Sequence, residues 1–192
     1  LNTPGGLLKS TRYIVSDLLT SRIPIVVFVS PSGSQAASAG VFITLASNIA
    51  AMAPGTNIGA SHPVNTQGGM DSVMSEKVTN DAAAFIRSIS EKRKRNVQWA
   101  EDAVRKSVSI TETEALKDSV IDLIANDLND LLQKIDGREV ETSSGKKILS
   151  TKNYTIVNYE EGWFQKILGV ISDPNIAYIF MMIGIWGIIL EF

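Results

Sequence analysis

Cysteine is absent from the 192 residues, and histidine occurs once, at His62. The first absence excludes disulfides, thiol nucleophiles and thiolate metal sites, and it leaves the redox compartment open. The second excludes a histidine-based metal cluster within one chain. An excess of either charge is also missing. With 18 Lys and Arg against 20 Asp and Glu, the net charge is −2, so nothing draws the chain electrostatically to nucleic acid. Neither an initiator Met nor a signal peptide stands at the start, which reads Leu1-Asn2-Thr3-Pro4-Gly5-Gly6. A turn as the first structural event leads us to expect an N-terminally truncated fold, with strands missing upstream. What remains is a composition of 44% hydrophobic and 20% charged residues, ordinary for a globular domain.

The most informative run is Ser32-Gly33-Ser34-Gln35-Ala36-Ala37-Ser38-Ala39-Gly40, in which all but Gln35 are small. It follows an apolar, β-branched stretch, Ile23 to Val29, typical of a strand covered on both faces. A helix-like segment, Val41 to Asn48, comes after it. Small residues let backbone approach backbone or a ligand. A serine on such a turn has its hydroxyl at a helix N-terminus, where free N–H groups and the macrodipole favour developing negative charge. That setting suits a nucleophile. It also suits a tight packing turn, and the run alone does not separate the two.

Further apolar patterns place helices over Leu7–Ser21, Glu76–Arg95, Trp99–Ser107, a short segment capped by Thr111–Glu114, and Asn126–Ile135. Short buried strands are expected at Ile49–Ala53, Ile58–Pro63 and Val120–Ile124, with a polar loop over Asn65–Ser75. The basic run Lys92-Arg93-Lys94-Arg95 reads as a solvated helix end. Composition turns polar after Gly137, with strands expected at Lys147–Ser150 and Tyr154–Asn158. Trp163–Ile171 is amphipathic, Asp173-Pro174 interrupts it, and Ile176–Leu190 carries no charge. At about 1.5 Å per residue the last segment spans about 22 Å, short of a ~30 Å hydrocarbon core. We expect an interfacial helix followed by the start of a transmembrane helix; a buried core helix is the alternative. The domain division expected is 1–137, then a hairpin-like extension over 138–160, then the membrane-associated part over 161–192.

Acyl transfer from a serine needs a base and an oxyanion hole. His62 is one candidate base. Lys77 is another, expected in the first turn of its helix, where the positive end of the dipole and partial burial favour the neutral amine. Backbone N–H groups for an oxyanion are available from Gly5 and Gly6, ahead of the first helix, and from Ala39 beside Ser38.

The order of these pieces carries a resemblance. Asn2-Thr3-Pro4-Gly5-Gly6, a helix, an apolar strand and Ala36-Ala37-Ser38-Ala39-Gly40 together resemble the Clp-protease/crotonase superfamily. The segments Ala53-Pro54-Gly55-Thr56-Asn57-Ile58-Gly59-Ala60 and Thr113-Glu114-Ala115-Leu116, followed by Val120-Ile121-Asp122 and the apolar C-terminus, narrow it. The chain is similar to the membrane-bound serine proteases of the NfeD family, whose genes often neighbour those of stomatin-like proteins. The resemblance implies an α/β fold of repeated ββα units wound into a superhelix, with a membrane-associated C-terminal helix. It implies a Ser-Lys dyad of Ser38 and Lys77, an oxyanion hole at Gly5, Gly6 and Ala39, and no cofactor or metal, with His62 as the alternative base. It further implies cleavage of a hydrophobic segment of a stomatin-like membrane partner, assembly as a dimer or larger homo-oligomer, and a protease domain on the extracytoplasmic side of the cell membrane. Two other classes stay open. One is a non-catalytic membrane scaffold with a protease-like fold; the other is a crotonase-type acyl-CoA enzyme.

Overall fold

Strand β3 (Ile49–Met52) is buried on both faces, between two apolar clusters. Successive side chains of a strand point to opposite sides. Ala50 and Met52 accordingly join one apolar cluster with Val29, Phe42, Leu45, Ile86 and Val104. Ile49 and Ala51 join a second with Leu123, Leu131, Ile135 and Val140. The computed structural model describes residues 1–64, 72–159, 162–171 and 174–191. Two compact units are distinct, Leu1–Tyr154 and Thr155–Phe192.

In the first unit, helix α1 (Leu8–Thr20) leads to strand β1 (Val26–Val29) and strand β2 (Gln35–Ala37), followed by helix α2 (Ala39–Ala46). The same order then repeats: β3, strand β4 (Asn57–Gly59), helix α3 (Ser72–Lys92). Corresponding strands pair in parallel, β1 with β3 from Val26 opposite Ile49, and β2 with β4 from Gln35 opposite Asn57. Helix α4 (Val97–Arg105), strand β5 (Ser109–Thr111), helix α5 (Glu112–Lys117), strand β6 (Leu123–Ile124) and helix α6 (Leu128–Ile135) follow. β6 extends the first sheet beside β3, and β5 closes onto β4 in antiparallel register. A hairpin of β7 (Glu139–Thr142) and β8 (Gly145–Ile148) ends the ordered pairing, with Val140 in the second cluster.

Residues 1–3 run beside both sheets. The Leu1 ammonium donates to the Phe28 carbonyl, and Ser30 N–H donates to Leu1. Thr3 N–H donates to Gln35, and Ala37 N–H donates back to Thr3.

Several expectations are corrected here. The small-residue run holds strand β2, which has no alternating apolar pattern to announce it. Helix α3 begins at Ser72 rather than Glu76, so Lys77 lies in its second turn, beyond the strongest reach of the dipole. Of the loop expected over Asn65–Ser75, residues 65–71 lie outside the described residues, as does Asp173. On α1 the inward face is Thr11, Val15, Leu18 and Leu19, while Leu7 and Ile14 are exposed. No strand forms over Tyr154–Asn158.

The basic run at the end of α3 is solvated only in part: Lys92 and Lys94 are exposed, whereas Arg93 is half-buried and Arg95 buried. Arg95 is buried, donating to the carbonyls of Leu45, Ser47 and Val120 and to Asp122 Oδ2 at 2.9 Å. Asp122 also accepts from Ala50 N–H. Arg93 Nε donates to Ala46 O at 2.7 Å, and its Nη atoms reach the carbonyls of Glu141 and Leu18. Burial, and after it the charge of Arg95, lower the Arg93 guanidinium from its ordinary range. The two side chains thus satisfy the C-terminal carbonyls of α2, which a helix leaves without partners. Arg95→Ala would strand three carbonyls and a carboxylate. Because Asp122 is a third exposed and regains water, we expect the low end of the range for a broken buried pair, about 3 kcal/mol. Chemical denaturation monitored by tryptophan fluorescence checks this.

In the second unit, helix α7 (Trp163–Ile171) is followed by helix α8 (Pro174–Glu191). Among the described residues no single helix is long and apolar enough to cross a membrane. Trp163–Ile171 and Ile176–Leu190, bent by 69°, meet the length and composition together. The α8 side chains are not those of a core helix: Tyr178, Phe180, Ile183, Trp186 and Ile189 are all exposed.

Candidate active site

Strand β2 ends at Ala37 and α2 begins at Ala39, so a single residue, Ser38, makes the turn between them. Its backbone has φ 52° and ψ −112°, a region that non-glycine residues rarely adopt. Holding a side chain there costs on the order of 1–3 kcal/mol and persists only where surroundings enforce it. They do so here. Ser38 N–H donates to Gly59 O at 3.1 Å, while Ser38 O accepts from Val41 N–H at 3.1 Å and from Ser61 Oγ at 3.4 Å. The hydroxyl itself makes no hydrogen bond among the described residues.

The loop ahead of α1 meets this turn. Thr3 fixes it, its Oγ1 accepting from Gly5 N–H at 3.2 Å and lying 3.1 Å from Gly5 O. Gly5 has φ 148°, and a Cβ there would stand 3.0 Å from Ser38 Cβ and 3.3 Å from Ser38 Oγ. Only a glycine leaves the hydroxyl its space. A Cβ on Gly6 would come within 3.5 Å of Ala39 Cβ, so Gly5-Gly6 and Ser38-Ala39 lie side by side. The Gly5 amide is engaged by Thr3. Those of Gly6 and Ala39 have no acceptor among the described residues. Ala39 opens its helix, and Gly6 precedes one, so neither has an intrahelical partner.

These groups face a cavity of about 450 Å³, lined among others by Gly5, Gly6, Leu8, Thr11, Ser38, Ala39, Phe42, Ser61, Pro63 and Val78. A hydroxyl and two backbone amides without acceptors among the described residues thus line one cavity, the kinds of group that acyl transfer uses.

The candidate bases stand differently. Lys77 is exposed on α3, next to Val78, which lines the cavity; no hydrogen bond joins it to Ser38 among the described residues. His62 lies between two lining residues, but its Nδ1 is 3.0 Å from Val104 O. A carbonyl only accepts, so Nδ1 carries the proton, and the ring is tied to α4. Among the described residues no three His, Asp or Glu side chains converge to hold a metal ion.

Sequence reasoning missed Ser61, Thr11 and Phe42. The first adjoins His62 but carries no pattern of its own, and the other two read as ordinary helix-face residues.

Comparison with known proteins is consistent with this geometry. A family model described as the N-terminal domain of NfeD1b matches residues 1–160. The membrane-bound protease PH1510 of Pyrococcus horikoshii is 38% identical over 197 residues, an alignment that covers 100% of this chain and 44% of that protein. This chain therefore spans less than half the length of that relative. Among solved structures, a lysine-to-alanine variant of 1510-N, a membrane-bound stomatin-specific protease, in complex with a substrate peptide, superposes with a TM-score of 0.80. Its identity is 34%, over 90% of this chain and 81% of that one. A serine-to-alanine variant of the same protease gives a TM-score of 0.70 and 36% identity, over 79% of this chain and 74% of that one.

Proposed function

This chain belongs to the NfeD1b N-terminal domain family, and from that membership together with the Ser38 turn we propose that it is a membrane-anchored serine endopeptidase. One observation carries the reading: a strained serine at the head of α2 shares a cavity with two unengaged amides. Ser38 Oγ attacks a peptide carbonyl. The Lys77 amine takes its proton, and the N–H groups of Gly6 and Ala39 hold the oxyanion. Loss of one such donor typically costs about 10²–10³ in rate. Protonated Lys77 then gives its proton to the leaving amine. Water resolves the acyl-enzyme as Lys77 accepts a proton again. The position of Val78 in the cavity wall and the flexible four-carbon stem of lysine support this role for Lys77. So does a relative that has been made as both serine and lysine variants.

The repeated order β1-β2-α2 and β3-β4-α3, with its parallel pairing, supports a crotonase-like ββα superhelix. We divide the chain into the protease part over 1–137, the hairpin part over 138–160 and the membrane-associated part over 161–192. The exposed apolar surface of α8 supports the last, with its transmembrane role and an extracytoplasmic protease part. The substrate is a hydrophobic, extended segment of a stomatin-like protein, in keeping with the relative that is stomatin-specific. Exposed Tyr13 and Ile14 on α1, with Leu7 just ahead of it, support self-assembly as a dimer or larger.

Treatment with a fluorophosphonate followed by peptide mass spectrometry tests the reading. Mass is expected on Ser38 in the native protein and on no residue after denaturation. A second reading, a scaffold that binds such partners without cutting them, is favoured by the exposed position of Lys77. Absence of label from Ser38 would decide for it.

A further inference from the structure

We infer that Phe42 sets the depth of the pocket beside Ser38 and so selects the side chain of the residue whose carbonyl is attacked. The inference rests on Ser38 as the nucleophile. Phe42 lies one turn into α2 from Ser38 and lines the same cavity. It is only 3% exposed. Its ring stacks on Phe85 of α3 with centroids 5.6 Å apart and planes at 23°. The Arg12 guanidinium of α1 stands 4.2 Å from the Phe85 centroid, and its Nη2 bonds Asp81 Oδ2 at 2.6 Å. Phe42 thus stacks on a ring that is itself held by the Arg12 guanidinium, in a column between α2, α3 and α1.

Apart from Ser38 and Ser61, the other side chains of the lining offer no free polar group. Leu8 and Val78 contribute only hydrocarbon, and the Thr11 hydroxyl is spent on Leu7 O at 3.0 Å. A pocket whose side chains, apart from Ser38 and Ser61, are apolar and include a packed aromatic ring takes an aliphatic side chain and stops a longer aromatic one. Discrimination by shape alone in an apolar pocket amounts to about 10–200-fold.

Peptidyl diphenyl phosphonates test this, since they phosphonylate a serine Oγ with loss of phenol. Two reagents are compared that differ only in a leucine-like or phenylalanine-like side chain next to phosphorus. The native chain is expected to react at least about tenfold faster with the leucine analogue. Phe42→Ala should abolish or reverse that preference, and Phe42→Leu should lie between. The readout is a ratio of rates within each protein, so a lower folded fraction does not move it. Phe42→Leu carries the test where Phe42→Ala folds poorly. Equal ratios in native and variant proteins, or a native preference for the phenylalanine analogue, would overturn the inference while leaving Ser38 as the nucleophile. A native chain that no reagent labels, small fluorophosphonates included, overturns the nucleophile first and this inference with it.

Discussion

Lys77→Ala is expected to reduce cleavage of a hydrophobic peptide by about 10²–10⁴-fold, the usual contribution of a positioned base, while His62→Ala stays close to the native rate. The contrast rests on Lys77 as the proposed base. The His62 Nδ1 donates to the Val104 carbonyl, which holds the ring against α4 and leaves Nε2 as its acceptor nitrogen, with no hydrogen bond to Ser38 among the described residues. The Lys77 side chain makes no hydrogen bond among the described residues. It extends from the part of α3 whose next residue, Val78, already forms the cavity wall. Catalytic hydrogen bonds are often long or unmade before substrate binds and tighten only in the complex. The Ser38→Ala loss should equal or exceed that of Lys77→Ala, and the double variant should be little worse than Ser38→Ala, because members of one catalytic unit are not additive. Steady-state rates of the native chain and the four variants, normalised to folded protein, supply the check. Native activity in Lys77→Ala, or its loss in His62→Ala, would transfer the base to the histidine.

Gly59→Ala should unfold the site side of the domain, at a cost of about 3 kcal/mol or more. Gly59 has φ 147°, and a Cβ there would come 2.3 Å from the Val108 carbonyl oxygen and 2.4 Å from Ser109 Cα. Both are backbone atoms, so no side-chain rotation relieves the overlap, and β5 would have to leave β4. The Gly59 carbonyl also receives the Ser38 N–H, so the turn loses one of the bonds that hold its unfavourable φ. A drop of many degrees in melting temperature, together with loss of fluorophosphonate labelling, is the expected result. A variant with native stability and native labelling would show that the β4–β5 pair has room that the geometry denies.

The sequence was most legible where one residue type admits one explanation. The apolar stretch ending at Val29 reads as a two-faced strand because no helix face is polar within it. Gly5, Gly6, Ser38 and Ala39 stand out because small residues in that order serve close backbone approach, and the fold brings all four together. Legibility fails where the determining partner is distant in sequence. Strand β2 is made a strand by Thr3 on one side and Asn57–Gly59 on the other, not by its own Gln35-Ala36-Ala37. Arg93 and Arg95 look like solvated charge until the α2 carbonyls come within reach. The early start of α3 hides in Ser72–Ser75, which has neither apolar spacing nor an acidic first turn.

Those two arginines have a consequence for the helix that begins beside the serine. An α-helix carries about half a positive charge at its N-terminus and half a negative one at its C-terminus. In α2 the C-terminal carbonyls are met from within the protein by two guanidinium groups, that of Arg95 itself paired with Asp122, while the N-terminal end lies beside the cavity. Dissolved ions cannot reach the buried arginine to weaken this, since screening acts on charges that water surrounds. The charge that meets the C-terminal end of α2 is thus supplied by the folded chain itself rather than by ions from its surroundings.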